Sequence, residues 1–380
     1  MSAPTPTNHA AWLPTRQSPT MVVDVAPYTA PNTDELVIRA RAVAINPADV
    51  AIQAKGLLLA GDDDYPAILG CDVAGDVVEV HPLLAHAFST GDRVIGQASP
   101  LRTKTKQNQN DSDADGNGNG NNRKVYCYSA FQEYVVLKLP FVTKIPALTG
   151  FEDATVLPLA VNTSATCLFA PECLGLRLPS SNRTQEGPNS AKEKETETET
   201  LLVWGASSSV GSCGVQLATL AGYEVIGVAS KKNHDMVRSL GAKLCFDHHE
   251  PKMIDDIVRN LQGKRLVGAF DAISTDDTLA AVCDILDRSE GRKLVAAVMP
   301  GAEAKATKGV RITTNFAAAA TAVTGGLGKS VWTWLGKALD EDMIKCMPPA
   351  HVVGHGLKDI QKAVDLLAKG VSAKKLVVEI

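Results

Sequence analysis

Residues 201 to 233 hold the densest set of groups in the chain that could do chemistry. Gly205, Ala206, Ser207, Ser208, Ser209, Val210 and Gly211 lie between an apolar run, Leu201 to Trp204, and a stretch carrying Val215, Leu217 and Leu220 at helical spacing. Small residues there let a diphosphate approach backbone N–H groups at a helix start, whose partial positive charge favours an anion. Serines 207 to 209 stand where the usual G-x-G-x-x-G pattern has its central glycine, and their hydroxyls can donate to phosphate oxygens. Farther on, Ser230, Lys231, Lys232 and Asn233 offer two ammonium groups and two small polar side chains, with no acid among them. An acid at that place selects the ribose 2′-OH of NAD, whereas this set suits a 2′-phosphate and predicts NADPH. The two lysines also have a plainer reading as a solvated turn.

These groups need a strand, a tight turn, a helix and a second strand to hold them. Leu201 to Trp204 is predicted as a buried strand, Gly205 as the turn, Gly211 and Gly214 as the opening of a helix, and Glu224 to Ala229 as the next strand. Further strands are expected at 243–246, 269–273 and 293–297, with helices near 251–262 and 276–287. That alternation defines an α/β, parallel, doubly wound sheet. Ile273 and Ser274 fall at the end of one of its strands, where ligands bind in such folds. The earlier part is β-rich: Glu35 to Ala44 alternates, Val73 to Val80 is dense in valine, and Gly91 to Ile95 reads as a turn into a strand. A helical run at Leu357 to Ala368 and a last strand, Lys375 to Ile380, are expected to return to that first domain. The resulting division is 1–160, 161–345 and 346–380. Segments at about 102–124, rich in Asn, Asp and Gly, and 179–200, ending in KEKETETET, carry too little apolar surface to offset ordering entropy and are predicted to be disordered. Asn315 to Leu335, alanine-rich with Trp332 and Trp334, reads either as a pocket wall or as a dimer edge, so monomer and homodimer both stay open.

A net charge of −4 over 380 residues offers no broad footprint for nucleic acid. No apolar run reaches membrane-spanning length, and the first 18 residues have no apolar core for a signal peptide, so a soluble cytoplasmic protein is expected. The eight cysteines include no C-x-x-C pair, and neither a disulfide framework nor a zinc knuckle follows from them.

AINPADVAIQAKG (44–56), YPAILGCDVAGDVVEV (65–80), GDRVIG (91–96), SAFQEYVVL (129–137), VLPLAVNTSATCLF (156–169) and the 201–232 stretch, in this order and spacing, resemble the medium-chain dehydrogenase/reductase superfamily. INPAD, ASKKN, FDAIS and the terminal KKLVVEI look most like its fungal branch of trans-acting enoyl reductases and relatives labelled zinc-type alcohol dehydrogenases. The resemblance implies a GroES-like β domain followed by a Rossmann domain. It places Asn46 and Asp49 beside the nicotinamide and ribose, Thr163 near the nicotinamide end, Ser207 to Val210 on the pyrophosphate, and Ser230, Lys231 and Asn233 on the 2′-phosphate. His248, in Phe246-Asp247-His248, stands where relatives often have tyrosine near the adenosine. Plainer readings stand beside three of these: Asn46 as a turn residue before Pro47, Thr163 as a helix N-cap, His248 as an idle exposed side chain. Zinc members supply a Cys, a His in Gly-His-Glu and a later Cys; here those places hold Asn46, Gly70-Cys71-Asp72 and the neighbourhood of Leu159. No metal is expected on that ligand count, which disfavours simple alcohol oxidation.

The implied activity is an NADPH-dependent, zinc-independent reduction of an activated carbon–carbon double bond in an enoyl thioester, enone or quinone. The substrate is a small molecule or carrier-bound, with a polyketide synthase as partner in the second case. A zinc-type alcohol dehydrogenase and a non-catalytic NADPH-binding sensor or scaffold are the alternatives. Lys55, Tyr65 and Tyr128 are the candidate proton donors beside bulk water, each with a structural reading of its own.

Overall fold

The computed structural model describes residues 6–59, 61–98, 125–179, 198–307, 309–316 and 326–380. Most of the two segments expected to be disordered, and residues 317–325 of the alanine-rich stretch, lie outside these. The chain divides into two compact units. One is Met1–Pro158 with Ala350–Val371 and Lys375–Ile380; the other is Leu159–Pro349 with Ser372–Lys374.

The second unit is built on six parallel strands in the order β11 (Leu244–Phe246), β10 (Glu224–Val228), β9 (Glu199–Trp204), β12 (Arg265–Asp271), β13 (Leu294–Ala297) and β14 (Arg311–Thr314). Its central strand β9 is buried from Thr200 to Trp204, as the continuous apolar run requires of a strand covered on both faces. Glu199 and Thr200 belong to this strand, so it begins earlier than the sequence suggests. Helices Met253–Asn260 and Asp276–Arg288 put Ile257, Leu279, Val282 and Leu286 into a core with Leu202, Ile226 and Val295. The helix Leu327–Asp340 buries both Trp332 and Trp334.

In the first unit a seven-stranded sheet runs β15 (Ala350–His355), β16 (Lys375–Glu379), β3 (Glu35–Ala44), β5 (Asp72–Val80), β6 (Arg93–Gln97), β8 (Val142–Lys144), with β7 (Tyr134–Lys138) also paired to β3. A smaller sheet joins β1 (Asn8–Leu13), β2 (Val22–Ala26) and β4 (Ala67–Ile68). The last strand lies antiparallel to β3, with Val377 opposite Ala44, and parallel to β15. A helix, Pro47–Lys55, follows β3 directly. It replaces the turn read at Asn46–Pro47: Asn46 is the N-cap and Pro47 the first helical residue, a position where the missing N–H costs nothing. None of the eight cysteines is in a disulfide.

Candidate active site

In the second unit the phosphate-binding candidates come together at the C-terminal end of β9. Gly205 turns the chain with φ of 71°, a left-handed conformation that side chains disfavour, and a Cβ there would meet Ile273 at 2.5 Å. Ser208 caps the helix Ser209–Leu220, its hydroxyl accepting from the Gly211 N–H at 3.0 Å. Gly211 packs so closely on the turn that a Cβ would lie 2.1 Å from the Gly205 carbonyl oxygen. Ser212 Oγ donates to the Ala206 carbonyl at 3.3 Å. Ser209 Oγ is buried with no hydrogen-bond partner, an orphan that a diphosphate oxygen at this helix end would satisfy. Val210 contributes backbone: its carbonyl accepts from Ser164 Oγ at 2.7 Å. The serines in place of the central glycine leave the cradle intact.

The turn after β10 is a short 3₁₀ segment, Lys231–Asn233, capped by Ser230. Lys231 and Lys232 are exposed. Asn233, by contrast, is 8 % exposed, and its amide donates to Ser207 Oγ at 3.2 Å and Ser372 Oγ at 3.1 Å. It braces this turn against the β9 turn. Asp247 accepts the His249 and Lys231 backbone N–H groups, which keep its carboxyl below the ordinary value and tie it to this turn. His248 is largely exposed; partial desolvation of its ring, then the nearby His249, lower its pKa, and Asp247 opposes them. Asp247, His248 and His249 also form a cluster with metal-ligand spacing, yet Asp247 Oδ1 is already 2.9 Å from His249 Nδ1.

Ile273 and Ser274 lie beyond β12, which ends at Asp271 rather than running to Ile273. Asp271, fully buried, was not singled out in the sequence; it organises this corner. Its Oδ1 accepts from the N–H groups of Ile273 and Ser274, both at 2.9 Å, and its Oδ2 from Thr278 Oγ1 at 2.7 Å. Ser274 has φ of 61° and is itself engaged, its Oγ donating to the Asp271 carbonyl and accepting from the Val298 N–H at 2.9 Å. Ile273 presents a 40 % exposed side chain at this sheet end. Thr163 sits inside the helix Pro158–Phe169, half-buried, so it is not an N-cap.

The first unit places Asn46 and Asp49 in a buried polar cluster with Asp72 at the start of β5 and Lys375 at the start of β16. All four are at most 3 % exposed. Lys375 Nζ lies 2.8 Å from Asp72 Oδ2 and donates to Asn46 Oδ1 at 2.5 Å, while Asn46 Nδ2 donates to Asp72 Oδ2 at 2.9 Å. Asp49 accepts the Asn46 N–H at 2.8 Å and the Gly70 N–H at 3.1 Å. Asn46 is thus a cap and a bridge, its carboxamide engaged on both sides. Of the candidate proton donors, Tyr128 donates to Glu35 Oε1 at 2.7 Å and Tyr65 to the Leu59 carbonyl at 3.0 Å, and Lys55 is exposed.

Burial pushes the Asp49 carboxyl up to about 7, with the Asp72 charge adding to it and the Asn46 and Gly70 N–H groups and Lys375 opposing. A carboxyl raised on folding favours the folded state fully below its unfolded value, near 3.8, and loses that contribution as pH rises through about 7. Denaturant unfolding of wild type and Asp49→Asn across pH 4 to 8 is therefore expected to show wild type losing ground steadily up to about pH 7 and then levelling. A gap that widens in favour of wild type with rising pH contradicts this.

Residues 32–147 match the alcohol dehydrogenase GroES-like domain and residues 209–334 match the zinc-binding dehydrogenase family. The chain is 36 % identical to dehydrogenase pigH of Monascus ruber over 99 % of its own length and 100 % of the relative's. It is 32 % identical to trans-enoyl reductase himH of Aspergillus japonicus, covering 98 % and 97 %. Among solved structures, the CurK enoyl reductase superposes with a TM-score of 0.70 at 16 % identity, covering 98 % of this chain and 99 % of that one. The chain belongs to the medium-chain dehydrogenase/reductase superfamily, with a GroES-like unit and a Rossmann unit of the dinucleotide-binding kind. It is an oxidoreductase of that family.

The family description raises the question of zinc. The side chains gathered in the first unit do not fit it. Asn46 and Asp72 face an ammonium rather than an open position. Burial, reinforced by Asp49 and Asp72, holds the Cys71 thiol well above its ordinary pKa and so protonated. The nicotinamide dinucleotide fits the second unit: the Gly205–Gly211 cradle, the orphaned Ser209 hydroxyl and the helix N-terminus suit its diphosphate.

Proposed function

We propose that the protein is an NADPH-dependent, zinc-independent reductase of activated carbon–carbon double bonds, acting on an enoyl thioester, enone or quinone. The observation that carries this reading is the ammonium of Lys375 seated between Asp72 and Asn46, where a Lewis acid for alcohol oxidation has no place. Similarity to trans-enoyl reductases supports the alkene as substrate class, and with it a carrier-bound substrate delivered by a polyketide synthase in the cytoplasm. When bound, the cofactor supplies the hydride.

The chain's own part is to hold it. Backbone N–H groups and hydroxyls from Ser207 to Gly211 receive the pyrophosphate, and Ser230 and Lys231 receive the 2′-phosphate on a turn that Asn233 and Asp247 keep rigid. Asn46 and Asp49 act by shaping the unit that carries them, and Thr163, Ile273 and Ser274 by framing the cofactor's nicotinamide side. Water delivers the proton, since Tyr65 and Tyr128 already donate inside the fold.

Oxidation of NADPH, followed at the nicotinamide absorbance with a short enoyl thioester and a quinone in parallel, tests the reading. Turnover that resists a chelator and is weak with NADH supports it. Chelator-sensitive alcohol oxidation would identify a zinc alcohol dehydrogenase instead, and NADPH binding without turnover of either compound a sensor or scaffold. Replacing Lys231 with Glu puts an anion against the 2′-phosphate. The ratio of kcat/KM for NADPH over NADH is expected to fall about tenfold or more, the equivalent of about 1.4 kcal/mol. An unchanged ratio would assign the lysine to the solvated turn.

A further inference from the structure

We propose that the rim of the Rossmann sheet opposite the dinucleotide cradle carries a second anion site, formed by Arg177, Arg265 and Arg292 around Tyr223, and that its ligand is a phosphate dianion, free or as a small monoester. These side chains line one cavity of about 420 Å³ within the second unit, in the size range of small-molecule pockets. The strand order brings them together. Glu199 and Arg265 are the first residues of β9 and β12 and stand opposite each other in the parallel ladder. Tyr223 immediately precedes β10, and Arg292 follows Gly291 just before β13. Gly291 has φ of 117°, and a Cβ there would lie 2.3 Å from the Leu266 carbonyl oxygen, to which the Arg292 N–H donates at 2.8 Å. Arg177 enters on the chain after the helix Pro158–Phe169. Its N–H donates to Tyr223 Oη at 3.0 Å, and its guanidinium carbon is 5.1 Å from the centre of the Tyr223 ring. The cradle starts at Gly205, past the other end of β9, so about 20 Å of strand separates the two sites.

Three guanidinium groups in this wall share one carboxylate. Glu199 Oε2 accepts from Arg177 Nη2 at 2.7 Å, and Glu199 Oε1 lies 3.3 Å from Arg265 Nη1, so the acid is divided between two bases and serves to orient both. Arg292 has no carboxylate partner among the described residues; its Nη1 donates to the Leu174 carbonyl. Partial burial, then the Arg311 charge, lower the Arg292 pKa, the effect of positive charge gathered without an anion to relieve it. The guanidinium nevertheless stays protonated at neutral pH. The cavity wall thus carries a net charge of +2, which matches a phosphate monoester at neutral pH, close to −2, better than a single carboxylate. Each guanidinium has five N–H donors in a planar fork, more than these contacts use, and the fork fits phosphate oxygens two at a time. A cavity lined by one sign of charge also concentrates the field that draws an anion in.

The test uses the whole protein and reads binding rather than turnover, so its outcome is separate from that of the reductase reading. Wild type, Arg265→Gln and Arg292→Gln are titrated calorimetrically with inorganic phosphate and with glycerol 3-phosphate at neutral pH and low ionic strength, with NADPH present to fill the cradle. Both arginine side chains are exposed, so neither substitution removes a core contact. Wild type is expected to bind one equivalent, and each variant to bind about tenfold more weakly or worse, because each loses a charge and a fork from the wall. Tighter binding of glycerol 3-phosphate than of inorganic phosphate identifies an ester as the ligand, and equal or weaker binding identifies the free ion. The proposal is overturned if wild type binds neither compound, or if both variants bind as wild type does, which would place the phosphate elsewhere on the protein. Should NADPH itself fail to bind, the two arginine variants still assign the site.

Discussion

Asp72→Ala is expected to destabilise the N-terminal unit by about 3–5 kcal/mol, the cost of leaving a buried ammonium without its carboxylate. The loss reaches beyond the pair, because Asp72 Oδ2 also receives Asn46 Nδ2, and Asn46 caps the helix Pro47–Lys55. Lys375 further fixes the start of β16 beside β3. Thermal unfolding should register a melting temperature lower by roughly 10 °C. The comparison that isolates the charge is Asp72→Asn with Lys375→Met. Neutralising both partners is expected to recover a large part of what Asp72→Ala loses, as the two changes share one contact and do not add. If the double variant is as unstable as the two single losses summed, the ion pair is not what holds these strands.

Gly211→Val should abolish dinucleotide binding while sparing the first unit. Its Cβ would stand 2.1 Å from the Gly205 carbonyl oxygen, a backbone atom with nowhere to go, so the helix Ser209–Leu220 must shift away from β9. That displaces the Ser208 cap and the N–H groups meant for the pyrophosphate together. The affinity for NADPH and for NADH is expected to fall at least about 100-fold, close to 3 kcal/mol. Titration of cofactor fluorescence measures it, and an equal loss for both cofactors distinguishes this cradle defect from the selective loss expected of Lys231→Glu. Retained affinity would mean that the diphosphate binds elsewhere.

The dinucleotide cradle was legible in the sequence because its determinants are local. A buried apolar strand, a left-handed Gly205 and the small Gly211 all fall within a dozen residues, and each constrains its neighbours directly. The parallel sheet followed from the same alternation repeated. What escaped was non-local. Lys375 and Asp72 are two ordinary charged residues far apart in the chain, of types that usually face solvent, and only the pairing of β16 with β3 brings them together. Asn46 misled for a subtler reason: Asn followed by Pro marks a turn and a helix start equally well, and the choice depends on the helix surface finding a partner. Asp271 organises the Ile273–Ser274 corner through its side chain, which strand periodicity does not register, so the strand seemed to continue into a turn. Asn233 and Ser274 also bond to neighbours in space, Asn233 Nδ2 to Ser207 and Ser372 and Ser274 Oγ to the Asp271 carbonyl and the Val298 N–H, contacts that strand and helix periodicity does not register.

The position of β16 between β15 and β3 also has a bearing on how the protein is made. The N-terminal unit lacks an inner strand of its sheet, and the Lys375 ammonium at its buried Asn46–Asp72 contact, until residue 379 has been synthesised. At about 5–20 residues per second the ribosome needs on the order of ten to forty seconds to get from residue 158 to that point. Until then the edge of β3 at Ala42–Ala44 is open to other chains, whereas the six strands of the Rossmann sheet, the last ending at Thr314, are all made before residue 379 is reached.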